Sequence, residues 1–153
     1  MDYYSSIVDG YDELYGEEQL AKIKLILANV EIQDTEKVLD IGCGTAIYAN
    51  LFPNYTGIDA AEKMLKNRKC ILGNAEALPF PDQSFDVVMS ITAIHNVKDT
   101  EKALQEMKRV CKGKVIISLL KKSSKYDVIK EQIEKYFKVT ALEEEKDTIF
   151  ISQ

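Results

Sequence analysis

Short apolar runs alternate with amphipathic segments along most of the chain. Five of these runs have the length and composition of strands: KVLDI (37–41), YTGID (55–59), CILGN (70–74), FDVVMSI (85–91) and KVIISLL (114–120). Continuous apolar runs of this kind are typical of parallel strands that are buried on both faces. The chain ends in KVTALEEEKDTIFISQ (138–153), which predicts two more strands joined by a charged turn.

Helical periodicity occupies the segments between these strands. Helices are predicted over 17–30, 60–67, 99–113 and 123–137, with a further short helix beginning near Thr45. In the third of these, Asp99 is suited to the N-cap and Gly113 to the stop. Strands that alternate with helices predict an α/β fold. We expect a Rossmann-like, doubly wound, mostly parallel sheet of about seven strands, with helices on both faces and a C-terminal antiparallel hairpin.

Composition limits the class of protein. The 153 residues suit a single domain, and no apolar run approaches the roughly 20 residues of a membrane span. The acidic, aromatic start MDYYSSIVDGYDELYGEE does not resemble a signal peptide, so we expect a cytoplasmic protein. The cysteines are odd in number and far apart, and there is one histidine, which argues against a disulfide framework and a metal site. The net charge of −5 gives no general attraction for nucleic acid or anionic membrane.

The carboxyl ends of the predicted strands carry polar residues of different kinds. The first strand ends in Asp40 and continues into Gly42-Cys43-Gly44, and the second ends in Asp59. The third ends in Asn74 and the fourth in Ser90-Ile91. Ligands of doubly wound sheets bind beyond the carboxyl ends of the strands. The pattern therefore predicts a nucleotide-type site with separate contacts for separate parts of the ligand.

Two ligand classes compete for the glycine turn. A dinucleotide favours GxGxxG, but Ile47 occupies the third glycine position, where its branched side chain would resist close packing of helix on strand. Asp40, directly before the turn, would also be unfavourable beside a pyrophosphate. A carboxylate there suits a cationic ligand, and S-adenosylmethionine carries an ammonium and a sulfonium. The electrostatics favour the methyl donor.

The motifs at these positions resemble those of the class I S-adenosylmethionine-dependent methyltransferases. Within that superfamily the chain is similar to the branch of the ubiquinone and menaquinone C-methyltransferases, the methyltransferase type 11-like group. The resemblance covers residues 11–118, through VLDIGCGTA, GIDAAEKML and GNAEALPFPDQSFDVVMSITAIHNV followed by EKALQEMKRV. It implies a minimal methyltransferase domain over 1–153. Its parts would be a helical cover (1–30), a cofactor-binding core (37–120), and a helix with a closing hairpin (123–153).

The resemblance also implies roles for individual residues in binding S-adenosylmethionine. The turn would approach the methionine part, Asp40 would orient its amino group, and Asp59 would accept the ribose hydroxyls. Adenine would lie against Ala60, with Asn74 and Ala75 at its edge. The remaining expected contacts are the backbone of Cys43, the closing segment at Ser90 and Ile91, and the covering side chain of Tyr11. The chain departs from the family pattern at Ala46, which replaces the third glycine, and at Asn74, which replaces an aspartate.

The sequence leaves the reaction and the acceptor open. Besides methyl transfer, the alternatives are a cofactor-binding module that supports a partner without its own activity, and an NAD-dependent oxidoreductase. The one candidate base is His95, whose other interpretation is a hydrogen-bonded histidine that packs the following helix. Residues 102–130 carry nine Lys and Arg against two acids. Lys121, Lys122 and Lys125 follow the fifth strand and are expected at the rim of the site.

Little sequence separates the fifth strand from the final hairpin, where related proteins often build a substrate cover. This shortness predicts an open site, which suits a macromolecular substrate or a cover supplied by a second copy of the chain or by a partner. The acceptor is a small metabolite, an RNA or a protein, and the sequence does not choose among them.

Overall fold

The computed structural model describes residues 3–44, 46–47, 49–61 and 69–153, with side chains from Gly16 onward. Its helices are α1 (Tyr3–Asn29), α2 (Thr100–Val110) and α3 (Tyr126–Tyr136). Its strands are β1 (Val38–Ile41), β2 (Tyr55–Asp59), β3 (Cys70–Leu72), β4 (Phe85–Ile91), β5 (Cys111–Leu120), β6 (Thr140–Glu143) and β7 (Asp147–Ser152). Short 3₁₀ turns occupy Ala49–Leu51 and Ile94–Asn96.

The strands form one seven-stranded sheet in the order β3-β2-β1-β4-β5-β7-β6. The first five strands along the chain pair in parallel, and β7 lies antiparallel between β5 and β6. The predicted doubly wound sheet with a closing hairpin is therefore confirmed. Strand order reverses direction between β1 and β4, which is the switch point where sheets of this kind bind ligands.

The core lies on both faces of the sheet because successive strand residues point to opposite sides. On one face α2 and α3 pack apolar side chains against β1, β4 and β5, with Leu104, Met107, Ile129 and Ile133 fully buried. On the other face α1 contributes Ile23, Ile26 and Val30. Within the described residues, no helix combines the length and apolar character that a membrane crossing requires.

The boundary between α2 and β5 differs from the prediction. The helix ends at Val110, not at Gly113, because Cys111 already has extended backbone angles, with φ −99° and ψ 133°. Cys111 pairs with Phe85, and the register then shifts along the two strands. Pairing with a neighbouring strand therefore ends the helix three residues before the glycine that the local pattern indicates.

The predicted N-cap of α2 is confirmed, since the Asp99 carboxylate accepts a hydrogen bond from the Lys102 N–H at 3.1 Å. The helix α1 begins well before the periodic segment 17–30. Most of the helix predicted over 60–67, and the helix start predicted at Thr45, fall outside the described residues.

Candidate functional site

A cavity of about 780 Å³ opens at the carboxyl ends of β1 to β4. Its walls come from the turn after β1, from the ends of β2 and β3 with the residues that follow them, and from segment 92–98 after β4. The predicted ligand-binding residues that line it are Gly42, Gly44, Asp59, Ala60, Asn74, Ala75 and Ser90, and His95 lines it as well. The fold therefore brings residues from four strand ends into one cavity.

Three other predicted contact residues, Asp40, Cys43 and Ile91, do not line the cavity. Asp40 is completely buried, and its carboxylate accepts a hydrogen bond from the Tyr55 hydroxyl. Cys43 and Ile91 are buried in the apolar cluster on the α1 face of the sheet. Any contact of Asp40 with a ligand would need an intermediate group. Tyr11 lies in α1, but its side chain is outside the described part of the chain.

The glycine turn is held between β2 and the segment that follows β4. The N–H of Gly42 donates to the Ile58 carbonyl at 2.8 Å. The backbone of Gly42 has φ +76°, and a Cβ there would lie 2.5 Å from the Cβ of Ala93. A side chain at this position is therefore excluded both by the left-handed backbone and by contact with Ala93. Ala46 takes a left-handed conformation too, with φ +54°, which explains why glycine is suited to that position.

The Asp59 carboxylate is fixed at the wall of the cavity by two backbone donors. Its Oδ2 accepts from the Gly44 N–H and its Oδ1 from the Ala61 N–H, each at 2.8 Å. A carboxylate has about four acceptor sites, so each oxygen keeps capacity for another donor. The turn after β1 and the acid after β2 thus form one rigid unit that can accept hydroxyl groups from a ligand.

Asn74 has a structural role as well as a place in the cavity wall. Its Oδ1 accepts from the Glu76 N–H at 2.9 Å, which forms an Asx-type turn after β3. Glu76 also lines the cavity, and its carboxylate accepts from the Asp99 N–H at 2.8 Å. This Asx turn is compatible with a ligand contact through the remaining amide groups of Asn74.

Two cavity-lining side chains carry buried polar atoms with no hydrogen-bond partner among the described residues. They are the Oγ of Ser90 and the Nδ1 of His95. Buried polar groups are normally satisfied, so these atoms are available for a ligand. Burial lowers the pKa of His95, and the Asp147 carboxylate partly opposes that effect. His95 is therefore neutral at neutral pH and can accept a proton.

Thr92, which the sequence analysis did not identify, connects the cavity wall to a buried ionic network. This β-branched residue has φ +52°, a strained conformation that is often found at functional sites. Its Oγ1 accepts from the Lys22 Nζ at 2.8 Å and donates to the Asp147 Oδ2 at 2.6 Å. Its N–H donates to the Ser118 Oγ at 2.7 Å. No local pattern could have revealed this network, because its members come from four separate elements.

The loop between β3 and β4 is fastened by Arg109 of α2. Its guanidinium donates to the carbonyls of Phe80 and Leu78, at 2.8 and 3.0 Å, and pairs with the Glu106 carboxylate at 2.6 Å. Glu106 in turn accepts from the Leu78 N–H. Several hydrogen bonds therefore hold the loop that begins at the cavity wall, which keeps that wall in a defined position.

The lysines expected at the rim lie outside the cavity lining. Lys121 pairs with Glu143 at 2.7 Å, so its charge is partly compensated within the molecule. Lys98, from the segment after β4, does line the cavity. Besides burial, the charge of Lys125 lowers the pKa of His95, so this lysine lies near the cavity wall.

A doubly wound sheet with a ligand cavity at its switch point defines a Rossmann-like protein of the cofactor-binding class. Residues 39–119 match the family model described as a methyltransferase domain. The chain belongs to this family, and the resemblance to class I S-adenosylmethionine-dependent methyltransferases is confirmed.

Known relatives agree with this family membership. A demethylmenaquinone methyltransferase of Thermotoga maritima is 38% identical over 106 residues, which are 59% of this chain and 46% of that protein. The chain spans about half the length of the curated relatives it matches.

Solved structures show the same fold. A SAM-dependent methyltransferase from Aquifex aeolicus matches with TM-score 0.71 and 19% identity, over 84% of this chain and 87% of that one. A Haloferax volcanii methyltransferase solved with its Trm112 activator matches with TM-score 0.71 and 18% identity, over 94% and 79% of the respective chains.

Proposed function

We propose that this chain binds S-adenosylmethionine in the cavity at the carboxyl ends of β1 to β4 and transfers its methyl group to an acceptor. The observation that carries the proposal is the Asp59 carboxylate, held at the cavity wall by two backbone N–H groups with acceptor capacity to spare. Such a carboxylate is suited to the two hydroxyls of a ribose. Family membership supports the choice of the methyl donor over a dinucleotide.

In this proposal the cofactor contacts divide among the strand ends. Gly42 and Gly44 allow close approach of the methionine part, where the Ser90 hydroxyl, which has no partner among the described residues, is also available. Adenine lies beside Ala60, Asn74 and Ala75. The glycine turn is supported from below by Asp40, Cys43 and Ile91. Tyr11, which lies in α1, covers the cofactor.

When bound, S-adenosylmethionine carries its methyl group on a sulfonium sulfur, and this sulfur becomes a neutral thioether when the methyl group is transferred. The protein therefore needs no acid to assist the leaving group. Its contribution is to align the reacting groups and to exclude water from the cavity. Where the acceptor must lose a proton, neutral His95 is the candidate base, since it lines the cavity with its Nδ1 unpartnered among the described residues.

The test of cofactor binding uses Asp59→Ala. We expect isothermal titration calorimetry with S-adenosylhomocysteine to show loss of binding, while circular dichroism shows an unchanged fold. Asp34→Ala, which removes an exposed acid remote from the cavity, is the matched control and should bind like the parent chain. Unchanged affinity in Asp59→Ala would contradict the proposed site.

A second assay separates an active enzyme from a binding module. Purified chain is incubated with donor labelled in the methyl group and with fractionated RNA, protein and metabolite pools. Label transfer to one pool identifies the acceptor class, whereas binding without transfer favours the module that supports a partner. Because the Haloferax neighbour was solved with an activator protein, the assay is repeated with cell extract. Light scattering on the purified chain reports whether it forms a dimer.

A further inference from the structure

Two cysteines that are far apart in sequence meet beneath the glycine turn. Cys43 lies within the turn, and Cys70 begins β3. A Cβ built on Gly57 of the intervening strand β2 would lie 2.8 Å from the Cys43 Sγ and 2.7 Å from the Cys70 Sγ. Both sulfurs thus lie beside the same point over Gly57 and are close neighbours. The missing side chain at Gly57 therefore creates the space in which both sulfurs sit.

We propose that Cys43 and Cys70 form a reversible disulfide that weakens cofactor binding. The inference rests on the proposed function for its effect, but the bond itself depends only on the two sulfurs. The oxidant is a low-molecular-weight disulfide. Cys70 is half-buried and Cys43 is buried, so an oxidant reaches Cys70 first.

The disulfide forms in two thiol–disulfide exchange steps. The Cys70 thiolate attacks the small disulfide, whose S–S bond breaks and releases one thiol. Cys43 then attacks the Cys70 sulfur of the mixed disulfide and releases the second thiol. Two protein thiols are oxidised, one disulfide is reduced to two thiols, and the two protons pass to the released thiols. Burial raises the pKa of both Cys43 and Cys70, so the reaction is expected to be slow at neutral pH and faster in alkaline solution.

The bond should disturb the cavity because of where Cys43 lies. A disulfide brings its sulfurs to about 2.05 Å, much closer than two unbonded sulfur atoms can approach. The neighbours of Cys43 in the chain are Gly42 and Gly44, which line the cavity, and the Gly44 N–H holds the Asp59 carboxylate. Movement of Cys43 towards Cys70 is therefore transmitted to the turn and to the proposed ribose acceptor.

Coupling between two such sites is typically about 5- to 150-fold in affinity, and it is reciprocal. We expect the oxidised chain to bind S-adenosylhomocysteine at least about fivefold more weakly than the reduced chain. Saturating S-adenosylhomocysteine should in turn disfavour the disulfide in a glutathione redox buffer by the same factor. Dithiothreitol should restore the original affinity.

The experiment treats the full chain with oxidised glutathione and counts free thiols after unfolding. Loss of two of the three thiols, with a cross-linked 43–70 peptide in mass spectrometry, is the expected result. Cys111→Ser is the matched control and should still lose two thiols. In Cys70→Ser, the cross-link should be absent and the affinity for S-adenosylhomocysteine should not respond to the oxidant.

Three results would overturn the proposal: retention of all three thiols, a stable glutathione adduct on Cys70 without the cross-link, or a cross-link that leaves affinity unchanged. Failure of the reduced chain to bind S-adenosylhomocysteine is a different result. It would remove the proposed function, and the switch with it, whereas the thiol count would still decide whether the cross-link forms.

Discussion

The buried ion pair between α1 and β7 gives the sharpest prediction. The side chains of Lys22 and Asp147 are 1% and 0% exposed, with Nζ and Oδ1 3.3 Å apart. Both also hydrogen-bond the Oγ1 of Thr92 in the cavity wall. Lys22→Met keeps most of the packing but leaves the Asp147 carboxylate buried without its counter-ion. Breaking such a pair on one side costs about 3 to 5 kcal/mol in the free energy of unfolding.

The measurement is urea denaturation followed by circular dichroism, with the free energy extrapolated to water. For a chain of this length, the expected loss corresponds to a fall in Tm of roughly 6 to 20 °C. Affinity for S-adenosylhomocysteine, measured under conditions where the variant is folded, should fall too because Thr92 loses one of the groups that fix it. Lys24→Met, at an exposed position of the same helix, is the matched control and should stay within about 0.5 kcal/mol of the parent.

A double variant distinguishes the lost charge balance from lost packing. Replacing a buried pair by apolar residues is often neutral or stabilising. Lys22→Met combined with Asp147→Leu should therefore recover most of the stability lost in Lys22→Met alone. If Lys22→Met changes the free energy of unfolding by less than about 1 kcal/mol, or if the second substitution adds a further full loss, the buried pair does not have the role assigned to it.

Three further predictions concern the cavity wall. His95→Ala should keep its fold and its affinity for S-adenosylhomocysteine. Burial lowers the pKa of His95 in the folded chain, so the unfolded chain binds a proton at a higher pH than the folded chain does. The urea midpoint of the parent should therefore fall as the pH drops below about 6.5, and the midpoint of His95→Ala should fall less. Gly42→Ala should lower the free energy of unfolding by at least about 1 to 2 kcal/mol, measured by chemical denaturation. Adding Ala93→Gly should recover the part of this loss that comes from contact with Ala93, but not the part that comes from the positive φ. Arg109→Lys should lower the free energy of unfolding by about 1 to 3 kcal/mol, because the hydrogen bonds to the Phe80 and Leu78 carbonyls are lost. A thermal melt equal to that of the parent would argue against the role of Arg109 in fastening the loop.

Much of the fold could be predicted from the sequence because its information is local. Apolar runs located the strands, and turn residues located their ends. The polar residues at those ends also predicted a shared cavity, since the carboxyl ends of parallel strands lie at one edge, but not that Asp40, Cys43 and Ile91 would be buried beneath it. Asp59 and Asn74 were found in this way. Their roles in binding, and that of Tyr11, remain predictions that the experiments above address.

The sequence by itself determined the class of fold and the position of the glycine turn, because each depends on periodicity or on neighbouring residues, and its motifs carried the resemblance to the family. Only the tertiary structure decided how Lys22 meets Asp147 and how Cys43 meets Cys70. It also ended α2 at Val110 and forced Thr92 into a left-handed conformation. These features depend on contacts between residues far apart in the chain, which strand order and side-chain packing bring together and which leave no local pattern.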